Sequence, residues 1–525
     1  MGMKKTRLFD YQQEMLDNII KTLTTETSDS AFYNEKGERV REGNSVMVQM
    51  PTGTGKTYVM AAVVKWFIVS HDKGEVWLVA HRRELVEQMQ QTLDRFCLAY
   101  GDNDEDMRAK TRIRVLSIQW LTRHMAEMED RGCVPGLIVV DEAHHALAAS
   151  YQDVFARNAG ALKMGMTATP CRLKKASFGK LFRHLLTSPS TSDFILRGYL
   201  APYNYVVIGK TSADQQIINT LRGRGSDGDY AVSEMHEKLN VPQAIQRLYN
   251  SVAKYADGKK GIVYAIDIDH AKAIAGCYSA LGIRAVALDS KTPAKTRQQM
   301  VQAFRKGELD CLVNVNLFDE GFDCPDVEYI QMARPTLSLA KYLQMVGRGL
   351  RINKADPGKV CMIIDNVGNY RKFGYPDKPR NWTAMFAGLV AGKGAVPSYV
   401  KKMSGVIVAD EDMVVVKKAD RVRKKLTATQ LEQYKQSVEP FASDDGMLMG
   451  LRTPDEVVMK PRYSHISKFH GDYAVFCLNY YCRLRGVIDR LGFVVVSPEY
   501  NKIKFLDAHT VQVWLPKGGT TTIVI

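Results

Sequence analysis

The stretch SVMVQMPTGTGKTYVM, residues 45–60, joins an apolar run to a glycine-rich turn and then to a helix-forming segment. This strand-to-helix context lets backbone N–H groups approach phosphate oxygens. Lys56 could reach the β- and γ-phosphates of a nucleotide, and the Thr57 hydroxyl could ligate Mg²⁺. Met50 stands where the generic pattern has its first glycine, so the fit is to the shorter core G-x-G-K-T. An ordinary glycine-rich turn with an incidental lysine stays open as the alternative.

Further short apolar runs flank this stretch and divide into two series. Apolar residues at consecutive positions are typical of strands buried on both faces of a parallel sheet. The sequence therefore predicts an α/β protein with two doubly wound parallel-sheet domains, 1–197 and 198–385, and a smaller α+β module at 386–525. The polar stretches 24–44 and 211–240 are interpreted as loops or insertions. The runs are 45–50, 75–80, 113–118, 136–140 and 162–166, then 261–266, 283–288, 310–315, 327–333 and 360–365.

Composition favours a soluble protein with a polyanionic partner. The 525 residues include 72 Lys and Arg against 57 Asp and Glu, a formal charge of +15 at pH 7. This excess favours nucleic acid before membrane, although a mildly basic solvated surface would explain it equally well. Nine cysteines without a C-x-x-C pair suit reduced thiols, and no apolar signal region opens the chain. We expect a cytoplasmic monomer that does not bind membranes.

A second stretch, VVDEAHHALAAS at 139–150, places an acidic pair directly after an apolar run. The carboxyl ends of parallel strands gather at one edge of a sheet, so Asp141 and Glu142 should lie beside the glycine-rich turn. Asp141 would hold Mg²⁺ through its water shell, and Glu142 would orient and deprotonate an attacking water. A metal cage using the two histidines is disfavoured because magnesium prefers oxygen ligands. A plain polar helix start would not explain the coincidence with Lys56.

These stretches and several others resemble the motifs of superfamily 2 helicases. The resemblance covers roughly residues 5–380 and implies two RecA-like domains that hydrolyse ATP with Mg²⁺. The segment 141–144 is similar to the DEAH box of that family. The other similar stretches are RLFDYQQE (7–14, Q motif), AHRRELVEQ (80–88, motif Ia), MTATPCR (166–172, motif III), FDEGFDCPDV (318–327, motif V) and QMVGRGLR (344–351, motif VI).

The resemblance also implies roles for individual residues. Arg348 and Arg351, three apart on a helix, would stabilise charge on the γ-phosphate from the opposite domain. The implied catalytic residues are Lys56, Asp141, Glu142, Gln344, Arg348 and Arg351, with Thr57 and Asp141 as magnesium ligands. The implied nucleotide contacts are Gln12, Thr52, Gly53, Thr54, Gly55, Lys56, Thr57, Gly321 and Asp323. Coupling would use His144, Thr167 and Thr169, and the nucleic-acid candidates are Arg82, Arg83, Gln119, Arg172 and Lys272.

The residues found at the motif positions favour DNA over RNA as the nucleic acid. AHRREL, TATPCR and QMVGRGLR look closer to the branch that includes RadD-like repair helicases and the motors of type III restriction enzymes, as do GYLAP (198–202) and DNVGNYRKFGYP (365–376). The main interpretation is an ATP-dependent DNA helicase or translocase. Three alternatives stay open: a duplex translocase that does not separate strands, an ATP-switched nucleic-acid binding or loading protein, and an RNA helicase.

The C-terminal module contains one pattern that could suggest zinc. His465, His470, Cys477 and Cys482 are separated by four, six and four residues, whereas structural zinc pairs are usually tighter. The stretch 472–492 is interpreted instead as a helix with an apolar stripe that buries its thiols. Tyr480, Arg483 and Arg485 would then face away from the stripe as candidate nucleic-acid contacts. The module would recognise nucleic acid or a protein partner.

Overall fold

The protein was analysed as a computed structural model. It describes residues 8–25, 31–33, 39–41, 43–81, 83–96, 98, 101–102, 111–289, 291–315, 324, 326–353, 355–356, 358–392, 413–417, 428–479, 482–492, 494–516 and 518–524.

The first lobe is built on a sheet of seven parallel strands. A separate antiparallel hairpin of β1 (Ala31–Tyr33) and β2 (Arg39–Arg41) precedes the sheet in the sequence. The strands of the sheet are β3 (Ser45–Gln49), β4 (Glu75–Ala80), β5 (Gly101–Asp102), β6 (Ile113–Ser117), β7 (Pro135–Val140), β8 (Leu162–Thr167) and β9 (His184–Thr187). They lie in the order β5-β6-β4-β7-β8-β3-β9. Since β7, β8 and β3 are neighbours, whatever follows each of them meets at one edge of the sheet.

Six helices accompany this sheet in the described part of the first lobe. They are α1 (Asp10–Thr24), α2 (Lys56–Ser70), α3 (Arg83–Arg95), α4 (Ile118–Asp130), α5 (Ala149–Arg157) and α6 (Thr191–Leu196). Helix α2 begins directly after Gly55 and buries every residue from Val59 to Val64. It packs against α1, β4 and β8. This apolar helix therefore fixes the glycine-rich turn to the centre of the lobe.

The second lobe repeats the plan with one antiparallel addition. Its strands are β10 (Tyr203–Ile208), β11 (Gly261–Tyr264), β12 (Ala285–Leu288), β13 (Cys311–Asn314), β14 (Tyr329–Met332), β15 (Cys361–Asp365) and β16 (Met413–Lys417), in the order β12-β13-β11-β14-β15-β10-β16. Its helices are α7 (Ala213–Asn219), α8 (Val232–Leu239), α9 (Pro242–Tyr255), α10 (Ile268–Ala280), α11 (Ala294–Lys306), α12 (Leu339–Gly349) and α13 (Tyr370–Phe373). The short helix α14 (Trp382–Phe386) follows them and packs against β9 of the first lobe. Only β16 runs antiparallel, beside β10.

The two stretches interpreted as loops contain regular structure. Residues 211–240 contain α7 and α8. Ser212 caps α7, and Asp214 of α7 forms an ion pair with Arg247 of α9 at 2.5 Å. Only the glycine-rich part between the helices is irregular. The stretch 24–44 holds the hairpin of β1 and β2. Charge and glycine content obscure these elements in the sequence, and the ion pair that fixes α7 joins residues 33 positions apart.

The C-terminal module contains three small antiparallel sheets. After α15 (Ala428–Gln436), they comprise β17 (Glu439–Ala442), β18 (Met449–Arg452) and β19 (Val457–Tyr463); β20 (His465–Ile466), β21 (Tyr473–Asn479), β22 (Cys482–Asp489) and β23 (Val494–Tyr500); and β24 (Lys502–Phe505), β25 (Thr510–Trp514) and β26 (Thr520–Val524). Lys435 on α15 pairs with the buried Asp193 on α6 at 3.1 Å. Burial lowers the pKa of Lys435, but the Asp193 carboxylate outweighs it and the net shift is upward. This ion pair links the module to the first lobe.

The helix interpretation of 472–492 is wrong, because the stretch forms the hairpin of β21 and β22. Ala474, Phe476 and Ile488 enter one apolar cluster, while Val487 enters another on the opposite face. Burial on both faces removed the polar alternation that marks a strand, so an apparent helical stripe remained. His465 and Cys477, from the spaced pattern, are register partners across β20 and β21.

No helix within the described ranges has both the length and the apolar character required to cross a bilayer.

Candidate active site

The glycine-rich turn is held in place by the start of α1. Gly53 and Gly55 have φ of +89° and +78°, a region that side chains disfavour. A Cβ on Gly55 would lie 2.4 Å from Nε2 of Gln12. The carbonyl oxygen of Thr54 accepts hydrogen bonds from the Tyr11 hydroxyl at 2.9 Å and from Gln12 Nε2 at 3.1 Å. The turn is therefore a fixed cradle in which Gln12 braces the backbone.

An aromatic and charged cluster, which no sequence motif indicates, lies next to this turn. The Tyr11 ring contacts Phe194 and Tyr199 edge-on, with centroids 4.8 Å away in both cases. Arg197 pairs with Asp10, which also accepts a hydrogen bond from the Tyr199 hydroxyl. Burial raises the pKa of Tyr11. These residues sit about 190 positions from α1, so no local pattern in the sequence connected them.

The acidic pair lies at the end of β7, close to the lysine of α2. Asp141 and Glu142 are 7% and 8% exposed. Burial lowers the pKa of Lys56, and the carboxylates of Glu142 and then Asp141 oppose that effect. The ammonium group lies 3.4 Å from the carbonyl oxygen of Met50. One half-buried cation at the start of α2 and two buried acids after β7 are thus brought together.

Glu142 has a strained backbone. Its φ of 47° and ψ of 49° place it in the left-handed region, and no other non-glycine residue in the described part of the chain has a positive φ. Such strain is of the order of 1–3 kcal/mol and persists where the surroundings impose it. Oδ1 of Asp141 accepts a hydrogen bond from the Glu142 N–H at 2.9 Å. The conformation directs the Glu142 carboxylate toward His144, whose Nδ1 is 3.2 Å from Oε2.

The residues predicted to couple form a chain between β7 and β8. Nδ1 of His144 is also 3.1 Å from Oγ1 of Thr167. The same Oγ1 accepts a hydrogen bond from the Thr169 N–H at 3.1 Å, and the Thr169 hydroxyl is buried without a hydrogen-bond partner among the described residues. Arg172 donates from Nη1 to the carbonyl oxygen of His144 at 3.0 Å. A displacement after β8 would therefore reach Glu142 through two contacts.

The second lobe presents helix α12 to the glycine-rich turn. Gln344 and Arg348 are 4% and 5% exposed, and burial lowers the pKa of Arg351 to about 10. Both arginines also lower the pKa of Lys56, so their charges are close to it. A Cβ on Gly347 would lie 2.6 Å from Cβ of Thr52. The guanidinium groups of one lobe and the lysine and acids of the other therefore meet at a common seam.

The nucleic-acid candidates are less tightly grouped. Gln119 is exposed and donates from Nε2 to the carbonyl oxygen of His81 at 3.0 Å. The His81 ring lies 4.3 Å from that of His145, which lies 4.2 Å from that of His144. Lys272 is exposed on the second lobe and lines an open cleft of about 570 Å³. Arg83 begins α3, and its side chain lies outside the described residues, as do Arg82, Gly321 and Asp323.

The fold and this seam define a two-lobed protein with a glycine-rich turn, a lysine and an acidic pair on one lobe and two arginines of a helix on the other. The family described as "Type III restriction enzyme, res subunit" matches residues 5–172, and "Helicase conserved C-terminal domain" matches residues 241–353. Both matches fall on the lobes described above.

Similar individual proteins were also found. A "51.5 kDa protein" of a Lactococcus phage is 30% identical over 66% of this chain and 71% of its own length. The "Putative ATP-dependent helicase IRC3" of Saccharomyces cerevisiae is 25% identical over 69% of this chain and 51% of its own. A type I restriction enzyme subunit fragment from Vibrio vulnificus has a solved structure with 21% identity and a TM-score of 0.49, covering 70% of this chain and 67% of that one.

The chain belongs to the superfamily 2 helicases, in the branch that includes restriction-enzyme motors, and is a helicase-type, nucleic-acid-dependent ATPase. This confirms the resemblance seen in the sequence. The chain spans about half the length of the yeast relative.

Proposed function

We propose that this chain is an ATP-dependent DNA helicase or translocase, in which hydrolysis at the seam drives relative movement of the lobes along DNA. The observation that carries the proposal is the convergence of the half-buried Lys56, the buried acidic pair and the two arginines of motif VI at one seam. Groups from both lobes are needed to complete such a site, so closing and opening follow the state of the nucleotide.

The residues present fit Mg-ATP. Two glycines with positive φ leave backbone N–H groups free of side-chain obstruction, as a phosphate cradle requires. The oxygen donors Thr57 and Asp141 suit Mg²⁺, which would neutralise phosphate charge when bound. Lys56 would bind the β- and γ-phosphates, and the amide of Gln12, which already braces Thr54, would contact the base. Gly321 and Asp323 are proposed to contact the nucleotide from motif V.

Glu142 is the proposed general base. Its strained backbone turns the carboxylate to the end of β7, where it would accept a proton from the attacking water. Gln344 would orient that water, and the guanidinium groups of Arg348 and Arg351 would stabilise the charge that develops on the phosphoryl oxygens. His144, Thr167 and Thr169 would transmit the change to the loop after β8.

DNA is proposed as the nucleic acid along which the protein moves, for three reasons. The chain has a formal charge of +15. Several similar proteins are named as DNA translocases or restriction-enzyme subunits. Gln119 stands at the exposed end of a row of rings from His81 to His144, so a strand held by Arg82, Arg83 and Gln119 would contact the same loop as the base. Arg172 and Lys272 would hold the strand elsewhere by phosphate contacts that carry no sequence information.

The test is ATPase activity with single-stranded DNA, duplex, fork and RNA, beside strand-displacement and triplex-displacement assays. Stimulation by DNA with strand or triplex displacement is expected. Triplex displacement alone would assign duplex translocation without strand separation. Stimulation without either displacement would favour an ATP-switched loading protein, and stimulation by RNA alone would overturn the choice of DNA.

Gly347→Ala is expected to reduce ATP turnover about 10²-fold, while the first lobe still binds nucleotide. The added methyl would lie 2.6 Å from Cβ of Thr52, so α12 must withdraw and the arginines lose their position. The measurement is steady-state turnover beside binding of a fluorescent nucleotide. Gly276→Ala is the matched control, because it also lies in a helix and its methyl would meet nothing within 4 Å. Normal turnover by Gly347→Ala would contradict the closed seam.

A further inference from the structure

A separate cavity of about 230 Å³ lies at the seam of the lobes. Thr52 of the glycine-rich turn and Gly347 of α12 line it. None of Lys56, the acidic pair or the arginines of motif VI does so. The contact between Thr52 and Gly347 thus borders both the candidate active site and this cavity. We refer to it as the seam cavity.

The two lobes line the seam cavity with complementary chemistry. The first lobe contributes hydroxyl groups at the junction of β9 and α6, namely Thr187, Ser188, Ser190 and Thr191. Oγ of Ser190 accepts a hydrogen bond from the Asp193 N–H at 3.1 Å, so its own hydrogen remains available to donate. The segment before α14 contributes the cations Lys378 and Arg380. No Asp or Glu is among the described residues that line the cavity.

The two cations are poorly compensated where they stand. Burial, and then the neighbouring Arg380, lowers the pKa of Lys378 to about 8. Nη2 of Arg380 donates to the carbonyl oxygens of Phe373 and Tyr375, whereas Nε is buried with no hydrogen-bond partner in the described part of the chain. The nearby Asp377, which accepts a hydrogen bond from the Tyr203 hydroxyl at 2.5 Å, compensates Arg380 only in part, because burial still lowers the pKa of Arg380 overall. Both side chains are half-buried, and a pair of like charges that is partly withdrawn from water is unfavourable unless an anion neutralises it.

We propose that the seam cavity binds a phosphate group, which bridges the hydroxyls of the first lobe and the cations of the segment between α13 and α14. The volume is below the 300–1,000 Å³ typical of pockets for larger ligands, which favours a small anion such as free inorganic phosphate. Because the donors come from both sides of the seam, the bound anion stabilises the closed arrangement. Binding does not depend on hydrolysis, so this inference stands apart from the proposed function.

The test measures phosphorus NMR line broadening of inorganic phosphate with the full chain saturated by Mg-AMPPNP, so that the glycine-rich turn is already filled. The wild type is expected to bind phosphate. Lys378→Gln should weaken that binding about tenfold or more, since it removes one charge-assisted contact. Lys378→Arg should retain it within a few-fold. Lys306→Gln, an exposed position at the end of α11, is the matched control.

Two outcomes would overturn the proposal: no phosphate binding by the nucleotide-filled wild type, or equal binding by wild type and Lys378→Gln. A labelled oligodeoxynucleotide distinguishes the sources of the phosphate group. If inorganic phosphate displaces the oligonucleotide and Lys378→Gln weakens its binding, a strand phosphate occupies the cavity. If inorganic phosphate does not displace the oligonucleotide and Lys378→Gln binds the oligonucleotide normally but has lost phosphate binding, the occupant is the free anion. Both results support a phosphate site.

Discussion

The Glu142→Gln variant should bind nucleotide at least as tightly as the wild type and turn it over about 10²–10⁴-fold more slowly. The amide keeps the shape and the hydrogen-bonding reach of the carboxylate but cannot accept the proton of an attacking water. Removing the negative charge beside Lys56 should favour, not weaken, the binding of an anionic nucleotide. The measurement is kcat from phosphate release, with nucleotide affinity determined separately.

The Glu142→Gln substitution changes the charge of the side chain without changing the backbone at this position. Glutamine has the same backbone constraints as glutamate, so the substitution leaves the strain at φ 47° unchanged. Glu237→Gln is the matched control, because Glu237 is an exposed residue of α8 far from the seam. Unchanged turnover by Glu142→Gln would remove Glu142 from the role of base. A loss of nucleotide binding equal to the loss of turnover would assign it to binding instead.

Arg348→Ala is expected to lower kcat about 10³–10⁵-fold and nucleotide affinity far less. A guanidinium supplied by the opposite lobe acts mainly on charge that develops in the transition state, so its loss appears in turnover. Arg348 is 5% exposed and near Lys56, so its removal also relieves repulsion on that lysine. The measurement is single-turnover hydrolysis with saturating nucleotide and DNA.

Conservative and surface variants complete the test of Arg348. Arg348→Lys should recover little activity, because an ammonium group lacks the planar fork of a guanidinium. Arg131→Ala removes an exposed arginine paired with Glu127, with about 44% of each side chain accessible, and should leave hydrolysis unchanged. Full activity in Arg348→Ala, with Arg351 intact, would transfer the role to Arg351 or contradict the seam as the site of hydrolysis.

Sequence patterns predicted the lobes well and the C-terminal module poorly. Strands such as β3 and β7 are buried on both faces and are followed by turns with recognisable residues, so each could be identified locally. The hairpin of β21 and β22 is also buried on both faces, but it lies in a small module of antiparallel sheets. Without a βαβ rhythm around it, the same apolar run was interpreted as a helix.

Sequence patterns single out Lys56, the acidic pair and Arg348, which the structure brings together, but they do not single out the residues that support them. Tyr11, Arg197 and Tyr199 brace the glycine-rich turn through aromatic and ionic contacts between α1 and the segment after α6. The left-handed backbone of Glu142 also had no signature in the sequence. Such features depend on neighbours that the surrounding fold supplies.

The sequence by itself determined the chemistry of each local unit: glycines that shape a phosphate cradle, an acidic pair after a strand, two arginines on one helix. These patterns are readable because the backbone geometry they need involves a few consecutive residues. Only the tertiary structure decided that Lys56 and Arg348, nearly 300 positions apart, share one seam, and that Lys378 and Arg380 meet the hydroxyls near Ser190. Electrostatic interactions fall off with distance in space, not along the chain, so the folded arrangement alone determines which charges act on each other.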